Sequence, residues 1–164
     1  MSKAIFLDRD GVINKNPAEH DYVKRVEELE ILPGVKEAVD LIKQRGYLVI
    51  VITNQRGVSR GMMTAEDVEK IHHKINEELG GRIDAFYVCY HGSEENCECR
   101  KPKPGLVERA VREWQIDLAE SWMIGDTDAD METAENAGVR GIKIDRNGNL
   151  VEAVDRISGN NGGS

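Results

Sequence analysis

The run Tyr47-Leu-Val-Ile-Val-Ile52 does most to fix the architecture. It is apolar on both side-chain parities and rich in β-branched residues. A strand of that kind must be covered on both faces, as a central strand in a parallel sheet is. Its aliphatic part, Leu48–Ile52, is far short of the roughly 20 apolar residues that a membrane span needs. Four other short runs read as strands: Lys3–Leu7, Asp84–Tyr90, Ser121–Ile124 and Gly141–Ile144. Segments of helical period lie between them. Pro33-Gly34 opens one that carries Val35, Val39 and Ile42 on a common face and ends near Gly46. Thr64, with Asp67 behind it, caps another carrying Val68, Ile71, Ile75 and Leu79. Further helices are expected from Pro104 to about Trp114, over Asp128–Asn136 with Gly138 closing it, and over Leu150–Ile157. Alternation of strand and helix implies right-handed crossovers, hence an α/β fold: a single Rossmann-like, three-layer domain with a parallel sheet. It spans residues 1–158, and residues 159–164 form a disordered tail.

A chain of 164 residues, 40% hydrophobic and 32% charged, suits one soluble domain and not a disordered segment. Acidic residues outnumber basic ones 30 to 22, for a net charge of −8. That balance disfavours nucleic acid as a partner, yet a small phosphorylated ligand needs only a local group of cations. The opening MSKAIFLDRDG has no hydrophobic run followed by a small-residue cleavage site, so a cytoplasmic protein with no membrane partner is expected.

Ligands of parallel sheets bind beyond the carboxyl ends of the strands. Asp8 and Asp10 follow the first strand, Thr53-Asn54-Gln55 the second, and Gly125-Asp126-Thr127-Asp128-Ala129-Asp130 the fourth. Arg100-Lys101-Pro102-Lys103 comes after the third. One sheet edge therefore gathers carboxylates, a hydroxyl and fixed cations. Clustered carboxylates repel one another unless a hard cation joins them, and oxygen ligands with room for water and phosphate suit Mg²⁺. A lone aspartate is commonly a cap or turn residue; several, each at a strand end, point to a site.

Those segments, Asp8-Arg9-Asp10-Gly11-Val12, Thr53-Asn54-Gln55, Lys101 and Gly125–Asp130, resemble the four ordered motifs of the haloacid dehalogenase superfamily. The likeness runs from about residue 3 to residue 145. Within the superfamily the chain is similar to small DxD-type phosphatases acting on heptose bisphosphate or histidinol phosphate. The resemblance implies Asp8 as nucleophile, forming an aspartyl-phosphate, and Asp10 as the acid and base that serves the leaving oxygen and then the water. It implies a catalytic Mg²⁺ held by the carboxylates of Asp8 and Asp126 and the backbone carbonyl of Asp10. Thr53 and the Asn54 backbone would hold the phosphoryl oxygens, and Lys101 would offset their charge. Asp130 is expected to support the metal surroundings or Lys101. An acid at position 10 argues for phosphoryl transfer, because dehalogenation has no oxygen leaving group to protonate.

Three cysteines, an odd number in a chain read as cytoplasmic, do not make a disulfide framework. Cys89, Cys97 and Cys99 join His91 in C-x-H-x5-C-x-C, and three thiolates with one imidazole suit a closed structural zinc site. The bland alternative is unrelated thiols. The same pattern marks the subfamily just named. Zinc would pin the loop 89–99 and so aim Arg100 and Lys101. His72 and His73 are expected on the solvated face of their helix.

No segment is long enough for a large cap domain, so the site is expected to be open, specificity to come from loops, and the protein, by analogy, to be a monomer. Residues expected to meet substrate are His20, Tyr22, Thr53, Asn54, Gln55, Arg56, Arg100 and Lys101. Gln55–Gly61 with Thr64, and His20-Asp21-Tyr22-Val23, resemble the heptose enzymes, which implies D-glycero-D-manno-heptose 1,7-bisphosphate losing its 7-phosphate. Arg56, Arg60 and Arg100 are candidates for the phosphate that stays. The short spacer between His91 and Cys97, and Leu106-Val-Glu-Arg109, resemble histidinol phosphate phosphatases, the second reading. Two readings of other kinds are a response-regulator receiver, whose acceptor aspartate would follow a middle strand, and a zinc-stabilised binding module with a silent site.

Overall fold

Every residue of β1 (Ala4–Leu7) is buried, because strands lie on both sides of it and helices on both faces. In the computed structural model, which describes residues 1–18 and 21–161, the sheet also holds β2 (Leu48–Asn54), β3 (Ala85–Cys89), β4 (Trp122–Gly125) and β5 (Arg140–Lys143). All pairings are parallel and the order is β3-β2-β1-β4-β5. The chain winds outward on one side of β1 and then returns to build the other side. The carboxyl ends of β1, β2 and β4 thus surround the point where winding reverses, which is where such sheets leave a crevice.

Register decides which residues meet. Phe6 lies beside Ile50 on one side and Met123 on the other, and Leu7 beside Val51 and Ile124. Side chains alternate across the sheet. Ile5, Leu7, Val49, Val51 and Ile124 pack under α1 (Val35–Gln44), α2 (Ala65–Glu78) and α5 (Leu150–Asn161). Phe6, Ile50, Ile52 and Met123 pack under α3 (Gly105–Trp114) and α4 (Asp128–Ala137). Each such aliphatic or aromatic side chain, removed from water, contributes about 1.5–3 kcal/mol. The alternation explains why an unbroken apolar run is required in β2.

Helix ends are set locally. Thr64 and Asp67 form a capping box at α2, and Thr127 and Asp130 form another at α4. Gly138 closes α4 with φ of +80°, a conformation that glycine adopts without strain. The five expected strands and five expected helices are present with ends shifted by at most two residues, apart from α5. That helix continues past Ile157 to Asn161, and residues 162–164 of the expected tail lie outside the described residues. Among the described residues, the β1–α1 and β3–α3 connections each contain a single 3-10 turn, Val26–Glu28 and Ser93–Glu95, and no inserted domain. Among the described residues no helix is long and apolar enough to cross a membrane.

Candidate active site

Asp8 directly follows β1, and its Oδ1 accepts from the Arg9 amide at 2.9 Å and from Lys101 Nζ at 2.8 Å. Lys101, buried to 8% exposure, also donates to Asp130 Oδ1 at 2.7 Å and to the Ile52 carbonyl at 3.2 Å. Asp130 has no exposure, and its other oxygen receives the Asp126 amide, the Thr127 amide and the Thr127 hydroxyl. The carboxylate that caps α4 is therefore also the one that fixes the lysine. Glycines let these pieces approach. Gly11 has φ of +88°, and a Cβ there would stand 2.2 Å from Asp126 Oδ2.

Carboxylate oxygens of Asp8, Asp126 and Asp130 lie within 4.8 Å of one another, three acids against one ammonium. Burial raises the Asp8 pKa well above the carboxylate range; Lys101 opposes this, and repulsion from Asp130 and Asp126 adds to it. Lys101 is raised: burial would lower it, but Asp8 and Asp130 outweigh that. Asp126 Oδ1 is buried with no hydrogen-bond partner. An orphaned oxygen among excess negative charge, in an all-oxygen donor set, fits a hard divalent cation such as Mg²⁺.

Asp10, two residues on, is held by four donors. Arg9 Nη2 (2.8 Å), Arg9 Nε (3.3 Å) and Asn14 Nδ2 (2.9 Å) reach Oδ1, and Gln55 Nε2 (2.9 Å) reaches Oδ2. Burial would raise Asp10, but the Arg9 cation and these donors bring it below its ordinary value. Gln55, grouped from sequence with the substrate-facing residues, is turned inward and also donates to Thr53 Oγ1 at 3.0 Å. Arg9 is wholly buried, and its Nη1 meets His72 Nε2 at 3.1 Å. This corrects the expectation of a solvated His72: the ring is 6% exposed and stacks on Phe86 at 4.3 Å. Only His73 is on the outer face, with a side chain 83% exposed. Helical spacing carried the missed signal, because position 72 lies with Val68, Ile71 and Ile75 on one face.

The pocket of about 280 Å³ lined by Asp8, Thr53, Lys101 and Asp126 shares Asp10, Asn16 and Asn54 with an outer bay of about 600 Å³. Tyr22, Arg56, Arg100 and Arg146 line the bay. Tyr22 Oη accepts from Arg56 Nε at 3.0 Å, and Arg100 Nη1 donates to the His91 carbonyl at 3.3 Å. Arg146, whose Nε is 3.4 Å from Asp126 Oδ2, escaped sequence reasoning although it follows β5, at the same sheet edge. Arg60 is exposed and outside the lining of the bay, and His20 lies outside the described residues.

Behind the bay, Cys89, His91, Cys97 and Cys99 bring their ligand atoms within 4.8 Å. The Cys89–Cys97 and Cys97–Cys99 sulfur separations are both 3.6 Å, and His91 Nδ1 lies 3.6 Å and 3.3 Å from Cys89 and Cys99. A tetrahedron with zinc–sulfur bonds of about 2.3 Å has sulfur–sulfur edges of about 3.8 Å. Cys89 and Cys99 are closer, at 2.7 Å, but all three cysteines are free. The three thiols shift unequally: burial raises Cys89 and Cys99, whereas at Cys97 bonds from Cys89 and from the Arg100 and Cys99 backbone outweigh burial and bring it down to about 6. The donor set fits zinc. Lys103 Nζ, bonded to the Cys97 carbonyl, and Ser59, bonded to Glu95, tie this loop to its surroundings.

A haloacid dehalogenase-like hydrolase family model matches residues 4–138. A D-glycero-beta-D-manno-heptose-1,7-bisphosphate 7-phosphatase from Helicobacter pylori (strain ATCC 700392 / 26695) is 44% identical over 143 residues, 85% of this chain and 81% of its own. One from Haemophilus ducreyi is 34% identical over 161 residues, 92% and 87% of the two chains. Among solved structures, D,D-heptose 1,7-bisphosphate phosphatase from B. bronchiseptica, complexed with magnesium and phosphate, superposes with a TM-score of 0.83 at 28% identity, covering 96% of this chain and 99% of that one.

Proposed function

We propose a specific reaction for this chain, which belongs to the haloacid dehalogenase-like hydrolase family and is a phosphoric monoester hydrolase: removal of the 7-phosphate from D-glycero-β-D-manno-heptose 1,7-bisphosphate. The relatives' activity supports the substrate and its anomer. The observation that carries the chemistry is the inner pocket, where a fixed carboxylate, a lysine and an orphaned acidic oxygen face one another beside a second, separately held carboxylate.

Both donors to Asp8 fall on Oδ1, so Oδ2 is the oxygen we assign to attack on phosphorus. Lys101 offsets charge on the phosphoryl oxygens. Thr53 Oγ1 accepts from Gln55, and its own hydrogen, held only by a 3.5 Å contact with the Asn54 carbonyl, can turn to a phosphoryl oxygen. A Mg²⁺ ion held by Asp8, Asp126 and the Asp10 carbonyl would supply charge neutralisation as the bond changes.

Oδ1 of Asp10 takes three donor hydrogens, so the proton that Asp10 carries belongs on Oδ2. A phosphate dianion entering beside Asp10 raises its pKa and supplies the protonated form. As the Asp8 Oδ2–phosphorus bond forms and the bond from phosphorus to the sugar oxygen breaks, Oδ2 of Asp10 gives its proton to that oxygen. It then takes a proton from the water that attacks phosphorus. The water oxygen leaves in inorganic phosphate and Asp8 is regenerated. Arg56, Arg100 and Arg146 face the bay and suit the phosphate that is kept. The zinc site we assign to Cys89, His91, Cys97 and Cys99 is structural.

Kinetics with both anomers of heptose bisphosphate, and with histidinol phosphate, test the assignment. We expect Mg²⁺-dependent turnover and at least about tenfold higher kcat/KM for the β anomer than for histidinol phosphate. A preference for histidinol phosphate would overturn it.

A further inference from the structure

Arg9 heads the fully buried side chains by size, yet no bond-making step needs it. A guanidinium only donates, and it is always charged. Two of its nitrogens are on Asp10 Oδ1. Its third, Nη1, meets His72 Nε2 at 3.1 Å, so that ring nitrogen must accept and the imidazole must be the neutral Nδ1–H tautomer. The ring is seated from two elements: α2 carries it, and Phe86 of β3 stacks on it at 4.3 Å with planes 11° apart. Burial, with the Arg9 charge behind it, lowers the His72 pKa to about 3, so the ring stays an acceptor through the neutral range.

We infer that His72 is a positioning residue for proton transfer: it anchors Arg9, and Arg9 pins Oδ1 of Asp10 so that Oδ2 alone faces the leaving oxygen. Remove the acceptor, and a buried guanidinium has a donor with no partner. The arginine then turns to satisfy it, and Asp10 loses two of its four bonds. Asn14 and Gln55 still hold the carboxylate, one on each oxygen, but Oδ1 is left with one donor of three and without the cation that keeps a proton off it. The inference rests on the reading of Asp10 as the proton donor.

Replacing His72 by glutamine puts an acceptor where Nε2 stands; asparagine puts one where Nδ1 stands, out of reach of Arg9. The readout is kcat/KM, which reports only steps through phosphorylation of Asp8. It is compared between an alkyl phosphate, whose poor leaving group must be protonated, and p-nitrophenyl phosphate, whose good one need not be. Expected for His72→Asn is a loss of about tenfold or more on the alkyl ester and less than about twofold on the aryl ester, with His72→Gln close to wild type on both. Equal losses on both esters, or none on the alkyl ester, overturn the inference. Should the asparagine variant not fold, nitrogen-15 NMR of the wild-type protein at pH 7 decides: a lone pair on Nε2 supports the assignment, and a protonated Nε2 refutes it. Wild-type inactivity on heptose bisphosphate would remove the substrate reading and leave this comparison intact.

Discussion

Acidifying the protein from pH 7 to pH 5 should destabilise it through His72 in a way that one substitution abolishes. In the folded state burial and the Arg9 charge lower the His72 pKa from 6.5 to about 3. Its neutral form is thus favoured by the fold. The contribution is fully present above the unfolded pKa of 6.5 and is lost as pH falls from there towards the folded value. At pH 5 the unfolded ring is protonated and the folded ring is not. The interval is about 1.5 pH units at about 1.4 kcal/mol each, or about 2 kcal/mol. The figure barely changes with the folded pKa, provided that value lies below pH 4. His72→Gln keeps an acceptor for Arg9 and cannot titrate, while the carboxylates, common to both proteins, cancel in the comparison. Thermal melts of both at pH 7 and pH 5 should show the difference in Tm moving in the variant's favour by about 4–8 °C at pH 5. Parallel profiles would refute the argument, because they would mean that His72 titrates alike in folded and unfolded chains.

Asp8→Asn should stop steady-state phosphate release without unfolding the protein, since an amide oxygen still accepts from Lys101 and the Arg9 amide and the repulsion from Asp126 and Asp130 is relieved. For the wild type, a stereolabelled phosphate ester should be hydrolysed with retention at phosphorus, the mark of two displacements; inversion, or undiminished turnover by the variant, contradicts the assignment. If the loop holds zinc as we propose, metal analysis should find it in the wild type and not in Cys97→Ser, whose melting temperature and kcat/KM should both fall through misplacement of Arg100 and Lys101. A variant that loses zinc but keeps wild-type kinetics and melting would show that the loop needs no metal.

Most of the architecture was readable because burial on both faces leaves a mark in sequence. Leu48–Ile52 has no polar position at which to face water, and Asp8, Thr53 and Asp126 stand where β1, β2 and β4 stop. The four candidate zinc ligands were readable because they come from one short loop. What sequence left hidden depends on angle and not on spacing. Arg9 follows Asp8 directly, and nothing in Asp-Arg-Asp says that the arginine turns into the protein while both acids face the cavity. Gln55 likewise looks like part of a polar loop, and only the close approach of β1 and β2 explains why its amide is spent on Asp10 and Thr53. Arg146 carried no motif at all, and its place at the bay follows from β5 lying beside β4.

Synthesis delivers the central strand well before one of its two flanking neighbours, for β4 begins only at Trp122. Until that segment emerges, Asp8 has neither Asp126 nor Asp130 nearby, and Lys101 lacks one of its two counter-charges. If Asp8 is the nucleophile we propose, a chain cut short before β4 should not hydrolyse phosphate esters. Completion of the sheet is what brings the three acids and the lysine into one pocket.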